Sequence, residues 1–124
     1  MSFCTTVNCM DGRTQLPVIQ YCRAKFGVDY VDSVTEPGPV KILSEQTDQA
    51  LIDSIVNRIT ISVTKHGSRS ITVVAHCHCA GNPVERPEQE RQLGRAIAFL
   101  REAFPDVTVE GVWVNDRWEV EEVA

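Results

Sequence analysis

With 124 residues, the chain has the length of one domain that buries roughly two thirds of its unfolded surface, and no second domain is expected. The sequence is 43% hydrophobic and 23% charged, and it contains no apolar run near the ~20 residues that a membrane-spanning helix needs. The net charge is −5 and the twelve Lys and Arg residues are scattered, which argues against a nucleic-acid partner. The N-terminal stretch MSFCTTVNC has neither the basic nor the apolar region of a signal peptide, so we expect a cytoplasmic protein.

In chain order, strand-type and helix-type patterns alternate. The predicted strands are residues 3–8, 28–34, 70–75, 107–114 and 118–123. The predicted helices are residues 14–26, 48–66 and 87–104. Residues 59–64 also alternate like a strand, so the end of the second helix is ambiguous. Between the second strand and the second helix, residues 36–39 (EPGP) are expected to form a rigid loop that continues neither element.

Strands separated by helices predict right-handed crossovers and a mainly parallel central sheet. We therefore expect a three-layer α/β fold with helices on both faces of the sheet and an antiparallel C-terminal edge strand. Residues 70–75 (SITVVA) form the clearest core strand, because their apolar run is typical of a strand covered on both faces.

The five cysteines form no expected disulfide framework, because their number is odd and the chain carries no export signal; they are Cys4, Cys9, Cys22, Cys77 and Cys79. Thiolate chemistry, metal ligation and simple burial remain as explanations. Cys22 fits burial, since it shares the apolar side of the first predicted helix with Leu16, Ile19 and Phe26.

Two loops at the carboxyl ends of predicted strands carry residues that can bind a metal or take part in catalysis. They are CMDGR, residues 9–13, and HCHCAGN, residues 76–82. In an open α/β sheet, ligands bind at this edge. If the first and third strands are neighbours, Cys9 lies beside His76 and Cys79.

Two sulfur atoms and one imidazole nitrogen suit Zn²⁺, with a fourth position left for water or a carboxylate. His76 and Cys79 can share a metal only if the strand ends at about His76, because strand residues an odd number apart point to opposite faces. Gly81-Asn82-Pro83 would allow the necessary turn.

Three other kinds of site fit the sequence less well. A phosphatase or rhodanese loop needs a longer segment between its Cys and Arg than residues 9–13 provide. A thioredoxin-like site needs C-x-x-C, whereas residues 77–79 read C-x-C. No Gly-rich phosphate-binding loop is present.

Cys9-x-Asp11-x-Arg13 followed by His76-x-x-Cys79 resembles the zinc signature of the β-class carbonic anhydrases, and the resemblance extends over the alternating core. It implies that residues 1–124 form one β-carbonic anhydrase-like zinc domain. It also implies a lyase in which Cys9, His76 and Cys79 hold a catalytic zinc, with Asp11 and Arg13 as a dyad beside it.

The chemistry implied by this resemblance is hydration of CO₂ to bicarbonate. Zinc lowers the pKa of bound water toward neutrality and so provides a zinc-bound hydroxide. Asp11 would accept the hydroxide's proton and orient its lone pair, while Arg13 would hold Asp11 away from the metal. Without that restraint, Asp11 could become a fourth ligand and close the site.

The sequence also departs from the family. It is short, without the helical N-terminal arm that clasps a partner subunit; it has Ala80 where Gly is frequent; and it offers no match for the pocket glutamine. Two alternatives therefore remain open. One is hydrolysis of carbonyl sulfide or carbon disulfide at the same site, and the other is a non-catalytic zinc protein closed by Asp11.

The remaining expectations concern partners and neighbouring residues. The substrate is expected to be a small molecule such as CO₂ or bicarbonate, with neither a membrane nor a nucleic acid as partner. Trp113 and Trp118 predict a surface buried in a homodimer or higher homo-oligomer. Cys77 is interpreted as a packed thiol, and His78 as either solvent-facing or a proton carrier. Glu36 is expected in a solvated loop.

Overall fold

The computed structural model describes residues 1–124. The strands are β1 (Phe3–Cys9), β2 (Tyr30–Glu36), β3 (Ser70–His76), β4 (Thr108–Val114) and β5 (Val120–Glu122). The helices are α1 (Gln15–Phe26), α2 (Pro39–Glu45), α3 (Gln49–Lys65) and α4 (Arg86–Ala103), and a 3₁₀ turn at Gly12–Thr14 precedes α1.

The strands form one sheet in the order β2-β1-β3-β4-β5. The first four are parallel, and β5 pairs antiparallel with β4 at the edge. This confirms the predicted mainly parallel sheet. The first and third strands are neighbours, which is the condition for Cys9 to lie beside His76 and Cys79. The chain runs from β1 outward to β2, and from β3 outward to β4 on the other side. The order therefore reverses between β1 and β3, which is where open α/β sheets bind ligands.

Two hydrophobic cores lie on opposite faces of the sheet, which confirms the three-layer architecture. The larger core lies under α2, α3 and α4, and the smaller one lies under α1. Val73 and Val74 are neighbours on β3, yet they belong to different cores and are both 0% exposed. The strand is thus covered on both faces, as its continuous apolar sequence predicts.

The predicted apolar side of α1 is only partly correct. Cys22 is fully buried, together with Val18 one turn earlier, and both pack in the smaller core with Cys4 of β1. Leu16 is 61% exposed instead. Apolar residues occur all around this helix, so its sequence periodicity does not specify which side faces the sheet. Gly27 ends the helix in the left-handed conformation.

The prediction that residues 36–39 form a loop is wrong at both ends. Glu36 belongs to β2, where it pairs with Cys9 of β1, and its side chain forms an ion pair with Arg58 of α3. Pro39 is the first residue of α2, a helix that the sequence analysis missed. A proline fits this position, because the first amide of a helix has no partner within it.

The other elements agree with their predictions to within a few residues. Residues 59–64 are helical, so tertiary packing of Ile59 against the sheet decides the ambiguous segment. The second strand starts two residues later than predicted, because its register is set by the pairing of Phe3 with Tyr30. The last strand is shorter than predicted, and Trp118 lies in the hairpin before it. No helix has both the length and the apolar character needed to cross a membrane.

Candidate metal centre

Cys9 and His76 are the last residues of two neighbouring parallel strands. The pairing of β1 with β3 runs only from Thr5 opposite Ile71 to Val7 opposite Val73. Beyond these residues the strands separate, and Cys9 and His76 lie at the resulting gap. The fold thus brings together two residues that are far apart in the sequence.

A sharp reversal after β3 returns the chain to this gap. The amide of Cys77 still donates to the carbonyl of Val114 on β4, at 3.1 Å. His78 then adopts a left-handed conformation with φ of 55°, and Cys79 follows it back toward β1. The expected strand end at His76 is confirmed. The chain turns first at Cys77 and His78 and again at Ala80 and Gly81, where the amide of Asn82 donates to the carbonyl of Cys79 at 3.3 Å.

The ligand atoms of Cys9, His76 and Cys79 all lie within 4.8 Å of one another. The residues are 3%, 1% and 3% exposed, respectively, so the cluster is shielded from bulk water. The two sulfur atoms are 3.8 Å apart. Two thiolates bound at ~2.3 Å to a tetrahedral zinc would be separated by about the same distance. The donor set and its spacing therefore fit this metal.

One ring nitrogen of His76 forms a hydrogen bond, and the other has no partner. Nδ1 lies 2.7 Å from the carbonyl oxygen of Cys77. A carbonyl only accepts, so Nδ1 carries the proton and Nε2 carries a free lone pair. Nε2 is buried and has no hydrogen-bond partner. Buried polar atoms are rarely left unsatisfied, and a metal ion would supply the missing partner.

The two thiols share a proton, so their acidities diverge. The hydrogen bond from Cys79 lowers the pKa of Cys9 to about 4, and burial opposes this shift. The same hydrogen bond, together with burial, raises the pKa of Cys79. Burial also disfavours the charged form of His76, but its contacts with the Cys9 sulfur outweigh this effect and raise its pKa. One of the two thiols thus loses its proton readily, whereas ionisation of both requires a cation beside them.

Backbone amides support both sulfur atoms. Amides of Gly38 and Asp11 stabilise the Cys9 thiolate and lower its pKa. Amides of Gly81 and Asn82 act on Cys79 in the same way. These donors come from the loops after β1, β2 and β3, so three loops converge on the cluster.

Two glutamines hold the ligand-bearing backbone, and the sequence analysis identified neither. Gln89 of α4 donates to the carbonyl of His76 at 2.8 Å and accepts from its amide at 3.3 Å. Gln15 at the start of α1 donates to the carbonyl of Cys9 at 2.7 Å. Their positions at the starts of helices that follow ligand-bearing loops are the only sequence signal that could have revealed them.

Asp11 and Arg13 form the pair that the resemblance to the β-class carbonic anhydrases implied. Arg13 donates from Nε to Oδ1 of Asp11 at 3.0 Å and from Nη2 to Oδ2 at 2.7 Å, and its amide donates to Oδ1 at 2.9 Å. These bonds lower the pKa of Asp11 to about 2. The carboxylate is therefore ionised, and both of its oxygen atoms accept from Arg13.

Cys77 and His78, which lie between His76 and Cys79 in the sequence, have different surroundings. Cys77 is half-buried against the larger core, and burial raises the pKa of its thiol. This placement agrees with a packed thiol. His78 is exposed, and its carbonyl oxygen lies 3.4 Å from Nη2 of Arg13. A surface cleft of about 460 Å³ adjoins His78 and Cys79.

Comparison with known proteins adds a family and a fold to this geometry. A family model described as "Putative carbonic anhydrase" matches residues 1–124. No curated protein matches the chain. The chain is similar to the solved structure of β-carbonic anhydrase isoform I from Trichomonas vaginalis, with a TM-score of 0.63 and 14% identity over 97% of this chain and 80% of that one.

Two fungal structures are similar as well. The β-carbonic anhydrase CafD of Aspergillus fumigatus matches with a TM-score of 0.65 and 12% identity, over 100% of this chain and 90% of that one. A tetrameric β-carbonic anhydrase of Sordaria macrospora matches with a TM-score of 0.56 and 14% identity, over 99% of this chain and 80% of that one. At these identities the structures show a shared fold, whereas the family model spans the whole chain. The chain therefore belongs to the carbonic anhydrase family and has the β-carbonic anhydrase fold.

Proposed function

We propose that this protein is a zinc-dependent lyase that hydrates CO₂ to bicarbonate. The observation that carries the proposal is the buried, unpartnered Nε2 of His76 beside two sulfur atoms 3.8 Å apart. Such a cluster is costly to bury without a bound cation. Membership of the carbonic anhydrase family supports the reaction class.

Cys9, His76 and Cys79 would hold the metal as two thiolates and one neutral imidazole. Bound zinc would supply a Lewis acid that lowers the pKa of water toward neutrality. The burial of all three residues places the thiolates in surroundings of low polarity, where they would interact strongly with a bound cation.

Asp11 and Arg13 have separate roles in the proposed reaction. Asp11 is ionised, so its carboxylate can accept a hydrogen bond from the attacking water and orient it toward CO₂. Arg13 occupies both carboxylate oxygens of Asp11 and so restrains it from turning to the cluster. This bidentate pair favours a catalytic site over the alternative of a non-catalytic site closed by Asp11.

We test the metal assignment by elemental analysis. The wild type should contain about one zinc per chain, and Cys79→Ala should lose it because a thiolate ligand is removed. Cys77→Ala is the matched control and should keep its zinc, since this neighbouring thiol packs against the core. Full zinc retention by Cys79→Ala would contradict the assignment.

We test the reaction by stopped-flow CO₂ hydration between about pH 6.5 and 9. The zinc-loaded wild type should exceed the rate of buffer plus free zinc, and its activity should rise with pH. Arg13→Ala should keep its zinc but lose activity, because Asp11 is freed. A zinc-loaded protein with no activity across this range would exclude CO₂ as substrate, and carbonyl sulfide and carbon disulfide would be assayed next.

We further propose that the chain forms a homodimer or a higher homo-oligomer. The related fold from Sordaria macrospora belongs to a tetrameric enzyme. The expectation that Trp113 and Trp118 supply the contact surface is wrong for Trp113, which is 5% exposed in the single chain. Met10 and Leu16, which are 63% and 61% exposed, flank the loop that carries Asp11 and Arg13, and a second copy would cover them. The cytoplasm remains the predicted location.

A further inference from the structure

We infer that Trp118 is a positioning residue, whose indole ring holds the Arg13 guanidinium so that Arg13 keeps Asp11 engaged; this role rests on the proposed function. Cζ of Arg13 lies 4.4 Å from the centroid of the Trp118 ring. A guanidinium within about 6 Å of an aromatic face is attracted by it. Trp118 thus contacts the dyad although it belongs to the C-terminal hairpin.

The Trp118 ring supplies a restraint that Arg13 otherwise lacks. The side chain of Arg13 is 52% exposed, and exposed ion pairs are held weakly because water competes for both partners. The N–H groups at the edge of the guanidinium are directed to Asp11 and to the carbonyl of His78. Its flat face remains available, and the indole covers it. Edge and face contacts together fix both the position and the plane of the guanidinium.

The hairpin presents Trp118 in an unusual backbone conformation. Trp118 has a φ of 60°, which bulky aromatic residues rarely adopt. Asn115 holds this turn: its side-chain oxygen accepts from the amides of Arg117 and Glu119 at 2.9 and 3.0 Å, and its carbonyl accepts from the amide of Trp118 at 2.9 Å. A strained conformation persists where its surroundings determine it, and here it places the ring against Arg13.

The consequence is a connection between the edge of the sheet and the proposed site. Removing the ring should let the Arg13 side chain leave Asp11 more often. Asp11 would then be free to turn toward Cys9, His76 and Cys79. Trp118 therefore acts through Arg13 and touches none of the proposed metal ligands.

The test removes the Trp118 ring in two ways in the zinc-loaded protein. Trp118→Leu keeps an apolar side chain, whereas Trp118→Gly suits the positive φ and so relieves the backbone. NMR measures the exchange of the Arg13 Nε proton with water, a readout that needs no enzymatic activity. Both variants should speed this exchange by about fivefold, the factor equivalent to one exposed cation–π contact. Trp118→Phe, which retains an aromatic face, should restore slow exchange toward the wild-type rate.

Activity provides the second readout. Trp118→Leu should lower kcat by about fivefold, while Glu119→Ala on the same hairpin should leave it unchanged.

Two outcomes would overturn the inference: wild-type exchange of the Arg13 Nε proton in Trp118→Leu and Trp118→Gly, or an equal loss of kcat in Glu119→Ala and Trp118→Leu. If the wild type does not hydrate CO₂ but both ring-removing variants exchange this proton faster, the proposed function fails and the positioning role stands.

Discussion

Two of the three proposed ligand residues, His76 and Cys9, are held by protein groups that do not involve a metal. Gln89 fixes both backbone polar groups of His76, and the carbonyl of Cys77 fixes its ring. Gln15 fixes the backbone of Cys9. Groups that orient metal ligands contribute strongly to affinity, because they reduce the reorganisation needed on binding. At the scale of single residues, protein groups alone therefore hold the backbone of these two proposed ligands.

Gln89→Leu should weaken zinc binding by about 10- to 100-fold, because the end of β3 loses both hydrogen bonds that orient His76. Competition with a chromophoric chelator measures this affinity. Ser62→Ala is the control: Ser62 is a buried polar residue that bonds Thr5 and Asp32, so its loss should lower stability and leave zinc affinity unchanged. Equal zinc affinity in Gln89→Leu and the wild type would contradict this role.

Asp11 provides a prediction about pH. Its pKa is about 2 in the folded protein because Arg13 stabilises the carboxylate, whereas an unfolded Asp titrates near ~3.9. The stabilisation from this pair is thus present above the unfolded pKa and is lost as the pH falls through about 2. NMR titration should find the Asp11 carboxyl near that value in the wild type and about 4 in Arg13→Ala. An equal Asp11 pKa in the wild type and in Arg13→Ala would contradict the pairing.

At the scale of elements, two loops approach so closely that only glycine fits. A Cβ on Gly81 would lie 2.7 Å from the backbone carbon of Pro37, and one on Gly38 would lie 2.9 Å from the Cβ of Asn82. Gly38 also has a φ of 70°, which favours glycine. This contact joins the loop after β2 to the loop after β3, and it brings backbone amides to both sulfur atoms.

Gly81→Ala should therefore destabilise the fold by about 1–3 kcal/mol, because the added methyl group forces the two loops apart. It should also weaken zinc binding, since the amides that face Cys79 would move. Gly94→Ala is the matched control. Gly94 is exposed within α4 with no atom near an added Cβ, so this change should stabilise the protein by about 1 kcal/mol. Urea denaturation measures the free energy of unfolding of both variants. A Gly81→Ala variant as stable as the wild type would contradict the close packing.

At the scale of the whole molecule, the order of the strands determines where chemistry can occur. The sheet order reverses between β1 and β3, and the two strands separate at their carboxyl ends. The loops after β1, β2 and β3 meet at this point, and the β4–β5 hairpin reaches it through Trp118. Residues from both ends of the chain thus converge on one edge of the sheet.

The proposed assembly is a property of this same scale. Light scattering at micromolar concentration should give the mass of at least two chains of 13.8 kDa each. Leu16→Glu should reduce this mass, because a charge would replace an apolar side chain that is 61% exposed in the single chain. A wild-type mass equal to one chain would refute the homo-oligomer.

The sequence by itself determined the framework of the fold and the position of the candidate site. The apolar run of β3 and the alternation of strands and helices specify the parallel sheet, because these patterns reflect which faces are buried. Residue types at the strand ends then singled out Cys9, His76 and Cys79, which the fold does bring together. Their role as zinc ligands, and that of Asp11 and Arg13 in catalysis, remain proposals.

Only the tertiary structure decided the details that depend on partners far apart in the chain. Helix α2 was missed because Pro and Gly are typical of loops, and its packing beneath the sheet is what makes it helical. The left-handed conformation of Trp118 has no local signal, since bulky aromatic residues seldom adopt it. Gln89 and Trp118 became visible as supports of His76 and Arg13 only through side-chain contacts, and local sequence patterns do not encode such contacts.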